Sequence, residues 1–369
     1  MTNSDGTWMD TARRVLVLQG GGALGAYQAG AFEALCACTF APDWVAGISI
    51  GAINAALIAG NPPDKRHAAL DAFWTRVTSQ VSIPAIPWDT GDIFNAAFNE
   101  LNASFIAVAG VPGFFKPRVP PVMFQPKDDL TRLSIYDTEP LRETLLELVD
   151  FDLINRKDGV RLSVGAVDVQ SGSQLYFDSH RDTIGPEHIM ASAALPPGFP
   201  AIKIGDSYYW DGGLASNTPL DHVMRHKGND NLLVFQLDLF SAKGNLPTSI
   251  AEIAERGKDI RFASRTAVTA KKERKLYNAN KNSDEHAVEG SSRHGAVTVL
   301  QLIYRSAVPE VASRDYNFSP LAIREHRSAG QHDIDRAMKH REWLAPPPPG
   351  ERMVEYVLTD DDERPVQRR

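Results

Sequence analysis

Three short stretches contain residues whose types and spacing could do chemistry: "GGGALG" (Gly20–Gly25), "GISIG" (Gly47–Gly51) and "DGG" (Asp211–Gly213). The second is a G-x-S-x-G pattern centred on Ser49. A serine on a tight strand-to-helix turn has its hydroxyl pushed out over the edge of a sheet. Glycines two residues to either side are needed there, because neighbouring backbone comes too close for a β-carbon. The helix that begins at such a turn adds the positive end of its dipole. The first stretch offers bare backbone N–H groups at another helix start, which suits a dinucleotide, a phosphate or a developing oxyanion. The third sets the carboxylate of Asp211 on a turn, with Gly212 and Gly213 leaving room beside it.

Gly20, Gly22 and Gly25 fit the dinucleotide fingerprint G-x-G-x-x-G. That fingerprint also needs an acidic residue at the far end of the second strand, for the ribose. Asp43 stands at the beginning of that strand, and Ser49 occupies the far end. Loops that follow neighbouring parallel strands lie side by side, so the glycine loop is expected next to Ser49. The bare N–H groups of that loop would then form an oxyanion hole for a carbonyl bound at the serine. Ser49 also needs a base. An α/β-hydrolase triad would draw on His326, His332 or His340. These histidines lie in a polar, helix-like stretch, and only one clear strand precedes Ser49 where that fold places several. The other candidate is Asp211, behind the aromatic run Tyr208–Trp210; taken alone, this could equally be a hairpin turn.

The elements that must position these groups follow from hydropathy patterning. Val15–Leu18 is a β-type run, Ala23–Leu35 has apolar residues at helical spacing, Asp43–Ile48 is a second strand, and Ala52–Ala59 is a helix stopped by "GNPP". Strand, helix, strand, helix is the start of a parallel sheet with crossover helices. Further strands are expected at 162–169, 174–177, 232–239 and 297–304, with a hairpin over 201–210. Helices are expected at 141–149, within 250–280 and at 319–340. Ser82–Pro126 is apolar, aromatic and broken by prolines, so it cannot be one long helix. It reads either as an irregular insertion packed on the core or as a lid or wall against acyl chains. Its "PGFFKPR" (Pro112–Arg118) sets aromatics beside two cations, as would suit a lipid–water interface. Arg256–Lys275 carries Arg256, Lys258, Arg261, Arg265, Lys271, Lys272, Arg274 and Lys275. This basic stretch reads as the solvated face of a helix or as a contact for anionic lipid surfaces.

The order G-G-G-x-x-G, G-x-S-x-G and a distant D-G-G resembles the patatin-like phospholipases. "ASAALPPGFP" (Ala191–Pro200) is similar to that family's A-S-x-x-x-P-x-x-F-x-P stretch ahead of the aspartate. The likeness covers about Arg13 to Leu220, and the region around "RDYNFSPLAIREH" from Arg314 resembles the carboxyl-terminal extension of one bacterial branch. The resemblance implies a three-layer α/β/α fold with a mostly parallel central sheet and the serine elbow after an early strand. It implies a lipid acyl hydrolase working by a serine–aspartate dyad without histidine. Ser49 would be the nucleophile and Asp211 the base. Gly20, Gly21, Gly22 and Ala23 would surround the oxyanion, and Gly25, Gly47, Gly51, Gly212 and Gly213 would be motif glycines. No cofactor and no metal are called for. Family members often carry Lys or Arg in the glycine loop, where this chain has Leu24.

The expected organisation is a flexible start over 1–12, a catalytic domain over 13–240, an extension packed on it over 241–344, and a Pro-led, charged tail over 345–369 with little fixed structure. The chain has 369 residues, 43% of them hydrophobic, enough for one large core. Its net charge of −7 excludes a typical nucleic-acid binder and argues against permanent membrane attachment. Its partner is expected to be a lipid or acyl-ester substrate, met through transient contact with a membrane surface. Cys36 and Cys38 read as buried thiols of a reducing compartment, not joined in a disulfide. No secretory leader and no apolar run long enough to span a bilayer is visible, so a cytoplasmic protein is expected. A lipid- or granule-binding protein with little catalysis is the reading of a different class.

Overall fold

The computed structural model describes residues 8, 11–38, 40–78, 109–125, 128–279, 295–305, 314–358 and 366–368. The chain runs β1 (Arg13–Leu18), α1 (Ala26–Ala37), β2 (Trp44–Ile48), α2 (Ile50–Ala59) and α3 (Arg66–Thr78). A short antiparallel pair follows, β3 (Lys116–Pro117) with β4 (Tyr136–Asp137), and then α4 (Glu139–Leu148). Next come β5 (Arg161–Asp168), β6 (Gln174–Asp178), α5 (Pro186–Ser192), β7 (Ile202–Ile204), β8 (Ser207–Asp211), α6 (Leu220–His226) and β9 (Leu232–Asp238). The chain continues with α7 (Ile250–Ala279), β10 (Val297–Ile303), α8 (Pro320–Met338), β11 (Met353–Leu358) and β12 (Val366–Arg368).

Among the described residues these strands build a ten-stranded sheet in the order β12-β11-β10-β9-β1-β2-β5-β8-β7, with β6 paired to β5. From β11 to β5 every neighbour is parallel; β12, β6, β8 and β7 are antiparallel additions at the two sides. The parallel strands are buried over nearly all their length, the half-exposed Arg13 and Arg14 at the start of β1 being the main departure, as strands covered on both faces must be. Successive side chains feed two cores. Val15, Val17, Trp44, Val234 and Val299 pack on one face beneath α6, while Leu16, Leu18, Val45, Phe235 and Leu300 face α1, α2 and α8. The expected three-layer α/β/α architecture with a mostly parallel sheet is therefore present.

Helix α1 is buried almost all round, because α8 lies across its outer side. The crossing is close enough that a β-carbon on Gly30 would stand 2.0 Å from the Arg327 carbonyl oxygen, and one on Gly330 would stand 2.0 Å from that of Tyr27. Asp333 accepts a hydrogen bond from the Tyr27 hydroxyl at 2.8 Å, and Arg327 reaches Asp71 at 2.6 Å.

Several expectations need correction. The tail is not loose throughout: "MVEYVL" at Met353–Leu358 is a strand parallel to β10, with Met353 opposite Val297. Its Pro-led, charged surroundings masked six residues that bury Met353, Val354, Val357 and Leu358 and pair the buried Glu355 with Arg274 at 3.4 Å. Within the expected flexible start, Trp8 and Ala12 are buried in the core, and the Ala12 N–H donates to the Trp8 carbonyl. Cys38 is exposed and Cys36 half-buried, with no disulfide between them. The basic stretch on α7 is not one solvated face, since Arg274 is buried and Arg256 and Lys258 are engaged in ion pairs; Lys271, Lys272 and Lys275 are exposed. Much of Ser82–Pro126 lies outside the described residues.

Candidate active site

Three strand ends set the site. Leu18, the last residue of β1, pairs with Gly47 of β2, and Ile48 pairs with Gly165 of β5. Ala166 of β5 faces Asp211 at the end of β8. The glycine loop, Ser49 and Asp211 therefore emerge at the same edge of the sheet, although 162 positions separate the last two along the chain.

Ser49 has φ 57° and ψ −126°, and is the sole non-glycine residue with positive φ among those described. Such a conformation costs about 1–3 kcal/mol and persists only where the surroundings impose it. They do so tightly here: a β-carbon on Gly47 would lie 2.2 Å from the Gly51 carbonyl oxygen, and one on Gly51 would lie 2.3 Å from that of Leu18. The Ser49 N–H donates to Ser192 Oγ at 3.1 Å, and Ser192 Oγ donates to the Gly165 carbonyl at 2.6 Å. Ser192 thus ties the elbow to the middle of β5. The Ser49 carbonyl accepts from the Ala52 N–H at 2.9 Å, which starts α2 directly behind the hydroxyl.

Asp211 is buried, and Gly213 donates its N–H to Asp211 Oδ1 at 2.7 Å. The Ser49 side chain lies close enough to the same carboxylate to favour its charged form. Burial pushes the carboxyl up to about 6, while Ser49 and the Gly213 N–H pull it down. The peptide N–H of Asp211 is held by the Ala194 carbonyl at 3.0 Å. The segment Ala191–Pro200 therefore grips both sides of the pair, through Ser192 and Ala194.

The glycine loop is held by a residue that sequence reasoning did not single out. Asn217 donates from Nδ2 to the Gly20 carbonyl at 2.7 Å, and its own carbonyl accepts the Gly20 N–H at 3.3 Å. The Gly20 amide is therefore engaged, and the expectation that it would face an oxyanion is withdrawn. Gly20, Gly21 and Gly22 all line the cavity beside Ser49, the Gly20 N–H being turned to Asn217. Ala23 is fully buried and outside the cavity wall, and its carbonyl faces His326 Nδ1 at 3.3 Å. Gly25 and Leu24 are buried in the turn behind the loop. Gln19, also unmarked in the sequence, accepts the Leu239 and Phe240 N–H groups at 2.6 and 3.2 Å and fixes the loop's base to the end of β9. The sequence signal for Asn217 was present in "SNTP" just after the aspartate motif. Ser192 stood in the stretch already marked, but its role depends on a hydrogen bond to the elbow that no spacing rule predicts.

The cavity over the pair has a volume of about 610 Å³. Its wall is mainly aromatic, with Phe114, Phe115, Tyr136 and Phe199 in mutual ring contact at 4.7 to 6.1 Å between neighbouring centroids. Phe114 and Phe115 come from the apolar stretch Ser82–Pro126. The flanking cations of that stretch serve the scaffold: Lys116 pairs with Asp137 at 3.6 Å, and Arg118 donates to Ser134 Oγ at 3.2 Å and the Tyr136 carbonyl at 3.3 Å. Among the described residues no histidine lines this cavity. His326 lies against the Ala23 carbonyl, and His340 stacks on Trp343 at 4.0 Å, so neither is placed as a triad base. Asp43, the misplaced ribose ligand of the dinucleotide reading, accepts the Arg14 N–H at 2.7 Å at the far end of the strands. Among the described residues no group of His, Cys, Asp and Glu could hold a metal ion, and no helix is long and apolar enough to cross a membrane.

A serine raised on a strained turn at the carboxyl edge of a parallel sheet, facing a buried carboxylate under an apolar vault, defines an elbow-type α/β protein. Comparison with family models makes this specific. Residues 16–224, more than half of the chain, match the family described as patatin-like phospholipase, and residues 273–350 match a second family described as patatin phospholipase. The chain belongs to the patatin-like phospholipase family. Among solved structures, VipD from Legionella pneumophila is 14% identical over 87% of this chain and 67% of its own, with a TM-score of 0.36. The type III effector ExoU is 13% identical over 91% of this chain and 54% of its own, with a TM-score of 0.34. Its complex with SpcU from Pseudomonas aeruginosa gives 14% identity over 91% and 53%, also at 0.34. The chain thus spans about two thirds of VipD and about half of ExoU, and likeness this distant bears on no individual residue. No curated protein is similar enough in sequence to count as a match.

Proposed function

We propose that the chain hydrolyses acyl esters of lipids through a Ser49–Asp211 dyad. The observation that carries this reading is the buried carboxylate of Asp211, set beside the Ser49 side chain at the floor of an aromatic cavity. A carboxylate of ordinary pKa is a weak base for a serine. Burial raises this one toward neutrality, which increases its basicity while leaving it ionised above about pH 6.

In the first step Asp211 takes the Ser49 proton as Oγ attacks the ester carbonyl carbon. The oxygen that becomes negative lies beside the glycine loop, where the N–H groups of Gly21 and Gly22 are the donors within reach; each such donor is worth about 10²–10³ in rate. The tetrahedral adduct collapses, the proton passes from Asp211 to the departing alcohol, and an acyl-serine remains. Water then enters, Asp211 takes its proton, and the acyl-serine is cleaved to a fatty acid and the starting hydroxyl. The positive end of α2 supports the charge on this side of the site. The aromatic walls hold the acyl chain and exclude water, which strengthens each of these polar interactions.

The test is hydrolysis of p-nitrophenyl esters by the wild type and the Ser49→Ala variant, together with labelling by a fluorophosphonate probe. Ester turnover and covalent labelling are expected in the wild type, and loss of both in Ser49→Ala. Labelling that persists in the variant would place the nucleophile elsewhere.

A further inference from the structure

The second family match and the helix before it lie outside the catalytic pair, yet part of this extension reaches the cavity. The segment Arg314–Tyr316 forms one 3-10 turn, and Asp315, Tyr316 and Phe318 line the same cavity as Ser49 and Asp211. A β-carbon on Gly22, where φ is +57°, would lie 2.1 Å from the Asp315 carbonyl oxygen. The turn is therefore pressed against the glycine loop itself. Phe318 is buried and meets Phe114 edge-on at 6.0 Å, closing the aromatic wall from the opposite side.

The turn is also pinned from behind. Lys258 on α7 bonds Asp315 Oδ1 and Glu255 Oε1, each at 2.8 Å, and its ammonium lies 5.7 Å from the centre of the Tyr316 ring. Arg314 pairs with Asp259 and reaches Glu255 at 3.5 Å. These charged side chains are between 11% and 26% exposed, so solvent screens them less than surface pairs. So elaborate a clamp on one turn is unexplained by fold stability alone, because α8 already fastens the extension to α1.

We propose that the extension supplies the substrate-selecting wall of the site: the turn Arg314–Tyr316 braces the glycine loop at Gly22, and the rings of Tyr316 and Phe318 set which acyl chains fit over Ser49. This rests on the acyl-hydrolase reading and names the residues that choose its substrate. Tyr316 is 48% exposed and stands at the open side, while Phe318 is deep in the wall. Removing either ring takes away apolar area that a long chain covers and a short chain does not reach.

The experiment is fluorescence titration of full-length protein with a dansyl-labelled medium-chain fatty acid, for the wild type, Tyr316→Ala and Phe318→Ala. Its readout does not depend on turnover. Binding to the wild type and a loss of about five- to thirty-fold in each variant is expected, the equivalent of one ring's apolar contact. In the p-nitrophenyl series from butyrate to laurate, the laurate-to-butyrate ratio of kcat/KM should fall in both variants. Circular dichroism melting establishes that the variants are folded. If Phe318→Ala does not fold, Tyr316→Ala and Phe318→Met decide. Unchanged affinity in the folded variants, or no binding to the wild type, overturns the proposal. Loss of the acyl-hydrolase reading would be seen separately, as absent fluorophosphonate labelling at Ser49.

Discussion

Replacing Asp211 with asparagine should make the protein more stable at alkaline pH while nearly abolishing turnover. The carboxyl group is 2% exposed, and burial pushes it up to about 6 from an ordinary value of 3.8. Two units of upward shift correspond to an ionisation penalty of about 3 kcal/mol, as an order of magnitude. The folded value lies above the unfolded one, so between about pH 4 and about pH 6 only the folded state holds the extra proton. The penalty is absent below that window, grows as pH rises through it, and is complete above it. Asparagine carries no such penalty, and its side-chain oxygen can still accept the Gly213 N–H. The unfolding free energy of the variant minus that of the wild type should therefore rise with pH, by about 2 kcal/mol between about pH 4.5 and about pH 8. Taking the difference removes the other groups that titrate in this range, such as His222, whose burial lowers its pKa. Urea unfolding at the two pH values measures it. With the base removed, ester turnover should fall about 10²–10⁴-fold, and wild-type kcat/KM should decline about tenfold per unit below about pH 6. A difference that stays flat or falls as pH rises would refute the claim that Asp211 is a desolvated acid. Turnover unaffected by the substitution would remove it as the base.

Three further outcomes follow from the supports around the pair. Ser192→Ala deprives the Ser49 N–H and the Gly165 carbonyl of their shared partner, so the strained elbow should relax; kcat should fall about tenfold with KM little changed, by steady-state kinetics with a short-chain ester. Asn217→Ala leaves the buried Gly20 carbonyl without its side-chain donor, while the backbone bond from the Gly20 N–H is kept, and should cost about 1–3 kcal/mol in chemical denaturation. Gly51→Ala would place a β-carbon 2.3 Å from the Leu18 carbonyl oxygen, and should yield little folded protein, as judged by circular dichroism and recovery on expression.

The parallel half of the fold was legible because its signals are local. Val15–Leu18, Asp43–Ile48 and Leu232–Leu239 are short apolar runs, too short for ordinary helices, which fits buried parallel strands. Ser49 was legible for a related reason, since a turn that demands glycine on both sides leaves a mark in the sequence. What escaped was held by pairing across the chain. Ser192 and Asn217 are ordinary polar residues whose task exists only once β5 and the Asp211 turn flank the elbow. "MVEYVL" escaped because its strand character was averaged with prolines and charges on either side. The basic stretch on α7 was misjudged because composition cannot show that Lys258 faces Asp315, 57 positions away.

The pattern of charges around Asp211 bears on why a dyad could suffice here. Among the described residues its surroundings act in three ways: burial raises the pKa, and the Ser49 side chain and the Gly213 N–H lower it. Among these influences there is no lysine or arginine. A cation beside the carboxylate would stabilise its charged form and return it toward an ordinary, weakly basic acid. The residue that could have brought one is Leu24, at the place where relatives often carry Lys or Arg. It is fully buried in the core behind the glycine loop and does not line the cavity. A cation grafted there would enter the apolar core rather than the cavity, so the departure at this position leaves the surroundings of Asp211 unchanged.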